Sequence, residues 1–480
     1  MANAEAWHNR PQDSGNRSHT ESGQGIGKGS IGMCNVGWQK WATATILAMG
    51  LLFAVTGAVQ GQTSGPTQVT INDDKAVEVN GELFFPFGFY GVPWVVDSSG
   101  EPTTSQPDLE RVAAAGCNTV TTMRTWWSGA NHPMVAPKTV ENQLDYLDIC
   151  HANGLMCMPW WEYFVPDSDK YVSWGYHRPW HSGTQYDYRT DQFMHDLFDM
   201  YLDGTNPDNP TDGFKYAITQ IQEHPALLGY SSLDEPGGIV TFVNRDGTDK
   251  PAFADRPPPY DQMDSVNKSD YDRPVTRAIY NAAHQYDDYD HPVYMLFGHY
   301  INWTNNNDHD IAAVDPYWNP LEVYDDDNPD ISNVKYVSDR VSSNVATAGD
   351  TPLIAVLMYT QTSGADRSAT IQEQRCQTYL ALINGAKGII YFSYDLEDNG
   401  PANMFDDAIV PLGEEIMKGK DGEEPLYRIV LSPEVESRVS VSPSDKIQVM
   451  ERVYNGKRYL ICASHMKTAT TATFTPVSGY

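Results

Sequence analysis

The chain of 480 residues is short of basic side chains, with 32 Lys and Arg against 63 Asp and Glu, and its formal net charge is −31. A nucleic-acid partner requires a basic surface that neutralises phosphates, so this balance argues against DNA or RNA binding. The same charge disfavours binding to an anionic lipid surface. We expect the acidity mainly to keep the protein soluble.

Cysteine is also scarce and irregularly spaced. Six occur in the whole chain. The five that follow residue 61 form neither a disulfide framework nor a zinc pattern, because their number is odd and their spacing irregular. One disulfide, Cys117 with Cys157, is an alternative if these residues lie on adjacent strands, but buried free thiols are the main expectation. The five are Cys117, Cys150, Cys157, Cys376 and Cys462.

Only one apolar run, from Ala42 to Val59, is long enough to suggest a membrane segment; Lys40 precedes it and small residues follow it. The pattern is typical of a secretory signal behind a long leader, or of a start codon further downstream, with cleavage after Gly61. An uncleaved membrane anchor is the alternative, since the run is of marginal length for a span. We therefore expect residues 1–61 to be leader and signal peptide, and the mature protein to be secreted or periplasmic.

Motifs for metals and cofactors are missing as well. The acidic stretch 203–213 lacks the twelve-residue pattern of a calcium loop and its closing Glu. His299 stands alone, and a lone His is more often structural than a metal ligand. The sequence therefore predicts no cofactor and no metal.

What the chain does contain is an alternation of short apolar runs with helical patterns, which predicts parallel strands joined by crossover helices. Each run is almost continuously apolar, as expected of strands buried on both faces. Eight such units predict an α/β fold, a (β/α)8 TIM barrel, with a doubly wound open sheet as the alternative. The connection between the fifth and sixth runs is short and polar, so no full helix is expected there. The predicted strands are 83–92, 117–124, 154–163, 227–236, 291–299, 309–318, 351–360 and 386–395. The predicted helices are 108–116, 140–154, 214–224, 275–286 and 369–386, and Gly116, Gly154 and Gly385 are expected to cap three of them.

Small β structures are expected at both ends of the barrel. Residues 62–82 predict an N-terminal β-hairpin that closes the bottom of the barrel, and the barrel itself is expected over 83–422. In 423–480 the apolar residues alternate and "NGK" signals a hairpin turn, so a short C-terminal all-β domain is expected, apparently cut short. The long inserts 163–190 and 237–274 follow strand ends, so we expect them to surround the face of the barrel that holds the active site.

The residues that end the apolar runs share one face of such a barrel, and they combine carboxylates with Trp and Tyr. Sugar rings stack their C–H faces on aromatic rings, and their hydroxyls bond to carboxylates and amides. Cleavage of a glycosidic bond needs a protonated carboxylic acid at the leaving oxygen and a second group that supports the oxocarbenium-like transition state. A carbohydrate is therefore the expected partner. The candidate catalytic residues are Glu235, Asp234, Asp315 and Asp395. The candidate substrate-binding residues are Tyr90, Trp94, Arg124, Trp126, Trp160, Trp161, Glu162, His299, Tyr317, Trp318, Tyr359, Gln361 and Tyr394.

Several stretches resemble a known family. They are "NGELFFPFGFYG" from residue 80, "LLGYSSLDEPGG" from 227, "AAVDPYWNP" from 312 and "YLALINGAKGIIYFSY" from 379. These resemble the glycoside hydrolases of the large (β/α)8 clan, clan A, over about residues 76–420. In that clan an Asn-Glu or Asp-Glu pair precedes Pro at the end of strand four, and its Glu is the general acid/base. The resemblance implies that role for Glu235, on a polysaccharide or oligosaccharide.

The chain departs from that clan at strand seven. The clan's nucleophile is a Glu at the end of this strand, whereas Thr351 to Thr362 contain no carboxylate. Three alternatives stay open. Another rim carboxylate (Asp315, Asp395 or Glu162) could serve, or the acidic pair of strand four could act with the substrate's own N-acetyl group, as in some β-hexosaminidases. In the third alternative the barrel binds sugar without cleaving it.

Asp234 has a structural alternative, a salt bridge to Arg124 that would keep it ionised. Burial beside a second carboxylate would raise the pKa of Glu235, as a general acid requires. We therefore predict a secreted glycoside hydrolase with Glu235 as general acid/base. The alternatives are a non-catalytic carbohydrate-binding protein on the same scaffold, and a structural or surface-anchored protein if the segment 42–59 stays uncleaved.

Overall fold

The structure is a computed structural model that describes fifteen stretches of the chain. They are residues 65–92, 95–96, 102–103, 106–122, 140–159, 214–234, 239–241, 265–267, 269–298, 301, 308–320, 324–325, 328–359, 367–394 and 403–477. The strands are β1 (Val69–Ile71), β2 (Val77–Val79), β3 (Glu82–Phe84), β4 (Phe87–Tyr90), β5 (Val95–Val96), β6 (Pro102–Thr103), β7 (Thr119–Thr121), β8 (Met156–Met158), β9 (Tyr230–Asp234), β10 (Ile239–Thr241), β11 (Ser265–Asn267), β12 (Val293–Phe297), β13 (Ile311–Val314), β14 (Leu353–Met358), β15 (Gly388–Phe392), β16 (Val439–Ser442), β17 (Ile447–Tyr454), β18 (Lys457–Ser464) and β19 (Thr473–Pro476). The helices are α1 (Gln106–Ala114), α2 (Val140–Ala152), α3 (Phe214–Ile221), α4 (Ser269–Tyr286), α5 (Lys335–Ala348), α6 (Ile371–Ile383), α7 (Val410–Gly413) and α8 (Leu426–Val430), with π-helical turns at Phe405–Ile409 and Glu414–Lys418 and a 3-10 turn at Lys420–Gly422.

Eight parallel strands form the barrel, in the order β8-β7-β4-β15-β14-β13-β12-β9. The sheet closes between its two ends, where the Cys157 N–H donates to the Ala226 carbonyl (2.7 Å) and the Leu228 N–H donates to the Cys157 carbonyl (2.9 Å). Each of the eight strands lies inside one of the eight predicted runs. The predicted (β/α)8 barrel is therefore confirmed, and the open-sheet alternative is wrong.

Side chains along the strands alternate between two cores. On β4, Phe87 and Phe89 pack outward against the helices, whereas Tyr90 faces the barrel interior. The interior also holds aliphatic side chains such as Ile354 and Val356 of β14. This alternation explains why the runs are apolar throughout, because one set of side chains fills the barrel and the other set packs against the helices.

The helices between the barrel strands follow the predicted pattern with one addition. The five predicted helices all occur, and the glycines expected to end three of them have left-handed φ values of 94°, 73° and 98° at Gly116, Gly154 and Gly385. Helix α5 was not predicted, because its sequence is rich in Ser and β-branched residues, which favour helices weakly. It forms because Val337 and Val341 are buried against the barrel. In the described residues between β12 and β13 there is no helix, as expected.

A small antiparallel sheet covers the bottom of the barrel. It has three strands, β1, β2 and β3, where a two-stranded hairpin was predicted. Val69, Val77 and Phe84 from these strands pack in one cluster with interior residues of the barrel. The predicted closure of the bottom is therefore present, with one more strand than expected.

The C-terminal β structure packs on the helical layer. Strands β17 and β18 form a hairpin whose two-residue turn, Asn455-Gly456, has φ values of 50° and 72°, as a type I′ turn requires. Met450 and Ile461 of this hairpin belong to the same core as the outer face of the barrel. A side-chain hydrogen bond from Asn384 to Gln448 (2.6 Å) adds a polar contact to α6. The predicted domain boundaries themselves stay predictions.

The five described cysteines carry free thiols. The alternative disulfide between Cys117 and Cys157 is wrong, because Val120, three residues after Cys117, is the residue opposite Cys157. Burial raises the pKa of the Cys117 thiol far above its usual range. No helix in the described part of the chain has the length and apolar character of a membrane span. The segment 42–59 lies outside the described residues.

Candidate functional site

The carboxyl ends of the eight barrel strands open at one mouth, because all eight run in parallel. Acidic residues stand at two of these ends. Asp234 is the last residue of β9, and Asp315 directly follows β13. Strand β12 lies between the two and is hydrogen-bonded to both. The sheet thus brings together two acidic strand ends that are 81 positions apart in the sequence.

A β-bulge sets the register of Asp234. Ser231 lies opposite Tyr294, but Asp234, three residues later, lies opposite Leu296, only two residues later. The extra residue on β9 is a β-bulge, a feature that recurs beside active sites because it re-aims the end of a strand. Glu235 is the next residue of the chain, and it lies outside the described residues.

Asp315 is a buried carboxylate that directly follows β13, in line with the inward-facing residues of that strand. Ile311 and Ala313 face the interior whereas Ala312 and Val314 face the helices, so Asp315 continues the inward positions. Its side chain is almost inaccessible, with 2% of the residue exposed. The Tyr317 N–H donates to the Asp315 carbonyl (2.7 Å), which folds the chain into a tight turn just above the strand.

Aromatic rings continue from the mouth into the barrel. The half-buried Tyr317 packs against Phe392 of β15 with ring centroids 5.8 Å apart, and Phe392 packs against Tyr90 at 6.4 Å. Tyr90 is fully buried, and its phenol forms a hydrogen bond with that of Tyr294. Tyr90 therefore lies beneath the rim and not on the exposed rim where we expected it.

Sequence reasoning missed Tyr294 and Phe392. Both were inside predicted strands, where a large aromatic side chain is ordinarily read as core. The available signal was the period of two: in "VYMLF" the Tyr shares a face with Leu296, and that face proves to be the interior. Which of the two faces of a doubly buried strand looks inward is not visible in an apolar run.

Three predicted binding residues lie in the outer core, and these predictions need correction. Trp318 is buried and its indole N–H donates to Gln377 of α6 (3.0 Å). Tyr359, fully buried, packs edge-on against the outward Phe89 at 5.1 Å. Such positions offer a sugar no surface, because the side chains at the strand ends turn outward towards the helices.

Tyr394 completes this outer group. Its phenol donates to Asp108 of α1 (2.9 Å), and its ring packs against Phe89 at 5.6 Å. Burial, with the nearby Asp108 carboxylate, raises the pKa of the Tyr394 phenol well above its usual range. Because 5% of the residue is exposed, Tyr394 joins α1 to the end of β15 and offers little surface to a ligand.

The end of strand seven carries no carboxylate. Strand β14 is buried and apolar from Leu353 to Met358, and the Tyr359 N–H that follows donates to the Phe392 carbonyl (2.8 Å). In the described residues, the folded end of this strand therefore also lacks the carboxylate that the clan has there.

The other predicted site residues stay predictions, because they lie outside the described residues. They are Trp94, Arg124, Trp126, Trp160, Trp161, Glu162, Glu235, His299, Gln361 and Asp395. For Asp234 the backbone alone is described. Within the described stretches no group of three or more His, Cys, Asp or Glu residues is arranged to hold a metal ion.

Comparison with known proteins gives similar structures but no similar sequences. No family model matches the chain, and no curated protein matches it. A β-galactosidase from Marinomonas ef1 aligns with a TM-score of 0.46 at 12% identity, over 73% of this chain and 62% of its own. A β-1,4-D-mannanase from Cryptopygus antarcticus aligns with a TM-score of 0.43 at 12% identity, over 75% of this chain and 98% of its own.

A β-glucuronidase from Ruminococcus gnavus aligns with a TM-score of 0.40 at 10% identity, over 68% of this chain. The present chain spans 46% of the length of that enzyme. All three similar structures are glycoside hydrolases by name. A similarity of this degree is a similarity of the backbone fold alone. Barrels of the same architecture catalyse many different reactions.

Proposed function

We propose that the protein is a glycoside hydrolase that cleaves O-glycosidic bonds in a polysaccharide or oligosaccharide, with Glu235 as general acid/base. One observation carries the proposal: the strand ends with Asp234 and Asp315 are separated by a single strand and open at the same mouth. The half-buried rings of Tyr317 and Phe392 pack against each other, and Tyr317 follows Asp315 by two residues. Paired carboxylates next to aromatic surface are the chemistry that glycoside cleavage needs.

Asp315 is the second carboxylate in this proposal. Neighbouring strands lie about 4.8 Å apart, so two strand ends with one strand between them are separated by about 10 Å at the backbone. We expect the two carboxyl groups carried by these strand ends to be separated by about 6.5–9.5 Å, the gap that leaves room for a water in inverting enzymes. The apolar end of β14 supports inversion too, since the strand-seven carboxylate used for retention is missing.

The reaction then needs two proton transfers. Glu235, protonated, donates its proton to the glycosidic oxygen as the bond to the anomeric carbon breaks. Asp315, ionised, accepts a proton from a water that attacks the opposite face of that carbon. The product has the inverted anomeric configuration, and the two carboxyl groups have exchanged protonation states.

The test is hydrolysis by the chain from Gln62 onward on a panel of polysaccharides and aryl glycosides. Glu235→Gln and Asp315→Asn are each expected to lower kcat by about a hundredfold or more, as losses of general acid or base do. Asp145→Asn, an exposed carboxylate on α2, is the matched control and should leave kcat unchanged. NMR of the fresh product should show inversion. Wild-type activity that survives Glu235→Gln would contradict the proposal.

Retention of configuration on N-acetylated substrates alone would favour a different mechanism. In that case Asp234 would orient the substrate's acetamido group and Glu235 would be the acid, as in the resemblance to β-hexosaminidases. Asp315→Asn would then leave the anomer unchanged. Asp395 and Glu162 are tested in the same way, by substitution to Asn and Gln.

A non-catalytic carbohydrate-binding protein is the second candidate, and the apolar end of β14 favours it as well. Titration calorimetry with the same glycans separates the two candidates. Binding by wild type and by Glu235→Gln, without product from either, would replace the catalytic proposal with this one.

We also propose that the protein is exported after cleavage near Gly61. The uncharged run 42–59 supports this proposal. Expression of the full chain with N-terminal sequencing of the exported protein tests it, and a membrane-bound protein that keeps its first 61 residues would contradict it.

A further inference from the structure

A buried amide anchors the turn that begins with Asp315. Trp318, three residues after Asp315, is buried, and its indole N–H donates to the Gln377 side-chain oxygen (3.0 Å). The Gln377 side-chain nitrogen donates to the Met358 carbonyl at the end of β14 (2.6 Å) and to the Gln374 side-chain oxygen (2.9 Å). One fully buried glutamine of α6 therefore ties the segment that follows β13 to the end of β14.

The orientation of this amide follows from its partners. An indole N–H can only donate and a backbone carbonyl can only accept, so the oxygen of Gln377 must face Trp318 and the nitrogen must face Met358. Burial of an amide is unfavourable unless it is hydrogen-bonded, and here both N–H donors and the oxygen have partners. Gln377 thus supplies a directional link that an aliphatic side chain of the same size would not.

The two residues after Trp318 are anchored as well. The Asn333 side-chain nitrogen donates to the Asn319 carbonyl (2.7 Å), and the Arg367 guanidinium donates to the Pro320 carbonyl (3.4 Å). Asn333 lies just before α5, and Arg367 lies just before α6. Three consecutive residues are therefore bonded to the layer of helices that surrounds the barrel.

These anchors restrict the backbone of Asp315. Strand β13 fixes the turn at its start, the Tyr317 N–H closes it on the Asp315 carbonyl (2.7 Å), and the indole bond fixes it at Trp318. Pro316 has a fixed φ angle and also limits the backbone angles of the residue before it. A carboxylate at the first position of so short a turn, held at both ends, is pre-organised for chemistry.

We propose that Gln377 is a positioning residue that acts through Trp318 to hold the turn of residues 315–318, and with it Asp315, in place. Neither Gln377 nor Trp318 touches substrate in this arrangement. The inference deepens the proposed function, and its catalytic part rests on that function. One part of its test therefore needs no substrate.

The first measurement is hydrogen–deuterium exchange, by mass spectrometry, of the peptide that contains the amides of residues 317–319. Gln377→Met keeps a side chain of similar length but removes its amide. Exchange in this peptide should become about tenfold faster or more, because the turn loses an anchor and opens locally at a lower free-energy cost. Trp318→Phe removes the indole donor and should act in the same direction, which keeps the test available if Gln377→Met does not fold. Unchanged exchange overturns the proposal.

Gln222→Met is the matched control, since it makes the same chemical change at the other end of the barrel. Gln222 directly follows α3, is buried, and accepts the Asp288 N–H through its side-chain oxygen (2.7 Å). Both variants should lower the midpoint of thermal unfolding by about 2–5 °C. Only Gln377→Met should accelerate exchange at residues 317–319. Equal acceleration in both would show general loosening of the barrel and would overturn the proposal.

Kinetics separate a positioning role from a merely structural one. On a substrate that the wild type cleaves, Gln377→Met should lower kcat by about ten- to a hundredfold with little change in KM, because displacement of Asp315 affects the chemical step more than binding. Gln222→Met should leave both constants unchanged. Faster exchange with an unchanged kcat would show a structural anchor only, and would overturn the positioning role while glycoside cleavage stands. If the wild type cleaves no glycoside, the proposed function fails instead, and exchange alone decides whether Gln377 holds the turn.

A double variant tests whether the effect passes through the indole. In the Trp318→Phe background the bond to Gln377 is already absent, so adding Gln377→Met should lower kcat much less than it does in the wild type. An equal loss in both backgrounds would show that Gln377 acts by another route, and it would also overturn the proposal.

Discussion

A histidine lies between two carboxylates near the N-terminal ends of strands β12 and β13. This arrangement makes the free energy of unfolding depend on pH. His284 of α4 contacts Asp290 through Nδ1 (2.8 Å) and Asp310 through Nε2 (3.1 Å). Asp310 also accepts the Val293 N–H at the start of β12 (2.8 Å). The cluster thus ties a helix to the two strands that carry Tyr294 and Asp315.

The magnitude follows from the pKa of the histidine. The hydrogen bond to Asp310 is the main cause that raises the pKa of His284 to about 9, against an ordinary 6.5. A shift of this size corresponds to at most about 3 kcal/mol. The Asp290 side chain is 79% exposed, so solvent screening reduces the expected contribution to about 1–2 kcal/mol. Because the folded pKa is the higher one, this stability is fully present below pH 6.5 and is lost as the pH rises to 9.

The assay is the free energy of unfolding in urea, measured at pH 6 and at pH 9.5 for wild type and His284→Gln. The difference between the two proteins should be larger at pH 6 by about 1–2 kcal/mol. Comparison with the variant cancels the other titrating groups. Asp290→Asn, which removes the exposed partner, should have a smaller effect than Asp310→Asn. An equal difference at the two pH values would refute the reasoning.

Three further changes test the packing that supports the site. Gly88→Ala would place a methyl group 1.6 Å from the Thr119 carbonyl oxygen between β4 and β7, so we expect a loss of soluble protein on expression. Thr370→Ala removes the side chain that accepts the Glu373 N–H at the start of α6 (3.2 Å) and should lower the free energy of unfolding by about 1 kcal/mol in urea titration. Gly456→Ala forces a side chain onto a left-handed turn position, and the same titration should show a loss of about 1 kcal/mol.

The barrel was predictable because its signals are local. Each run, such as Leu353 to Met358, is apolar over its whole length because both faces of the strand are buried. The glycines that end the helices mark the boundaries between units. Helix α5 escaped prediction since its sequence has weak helical propensity, and its packing on the barrel decides its structure.

The site was less predictable than the fold. The acidic ends of β9 and β13 were recognisable as charged residues that terminate apolar runs. The orientation of their aromatic neighbours was not: Trp318 and Tyr359 turn outward, whereas Tyr317 remains at the mouth. At the end of a strand the period of two breaks down, so sequence position no longer tells which way a side chain points.

By itself the sequence determined the class of the protein: eight buried parallel strands, their order along the chain, and the residues at their carboxyl ends. These properties follow from hydrophobic patterns over five to ten neighbouring residues. Only the tertiary structure decided that a bulge shifts the register of Asp234, that Asp315 points inward, and that Tyr90 meets Tyr294. The reason is physical: these relations depend on closure and tilt of the sheet, which bring together residues about 200 positions apart.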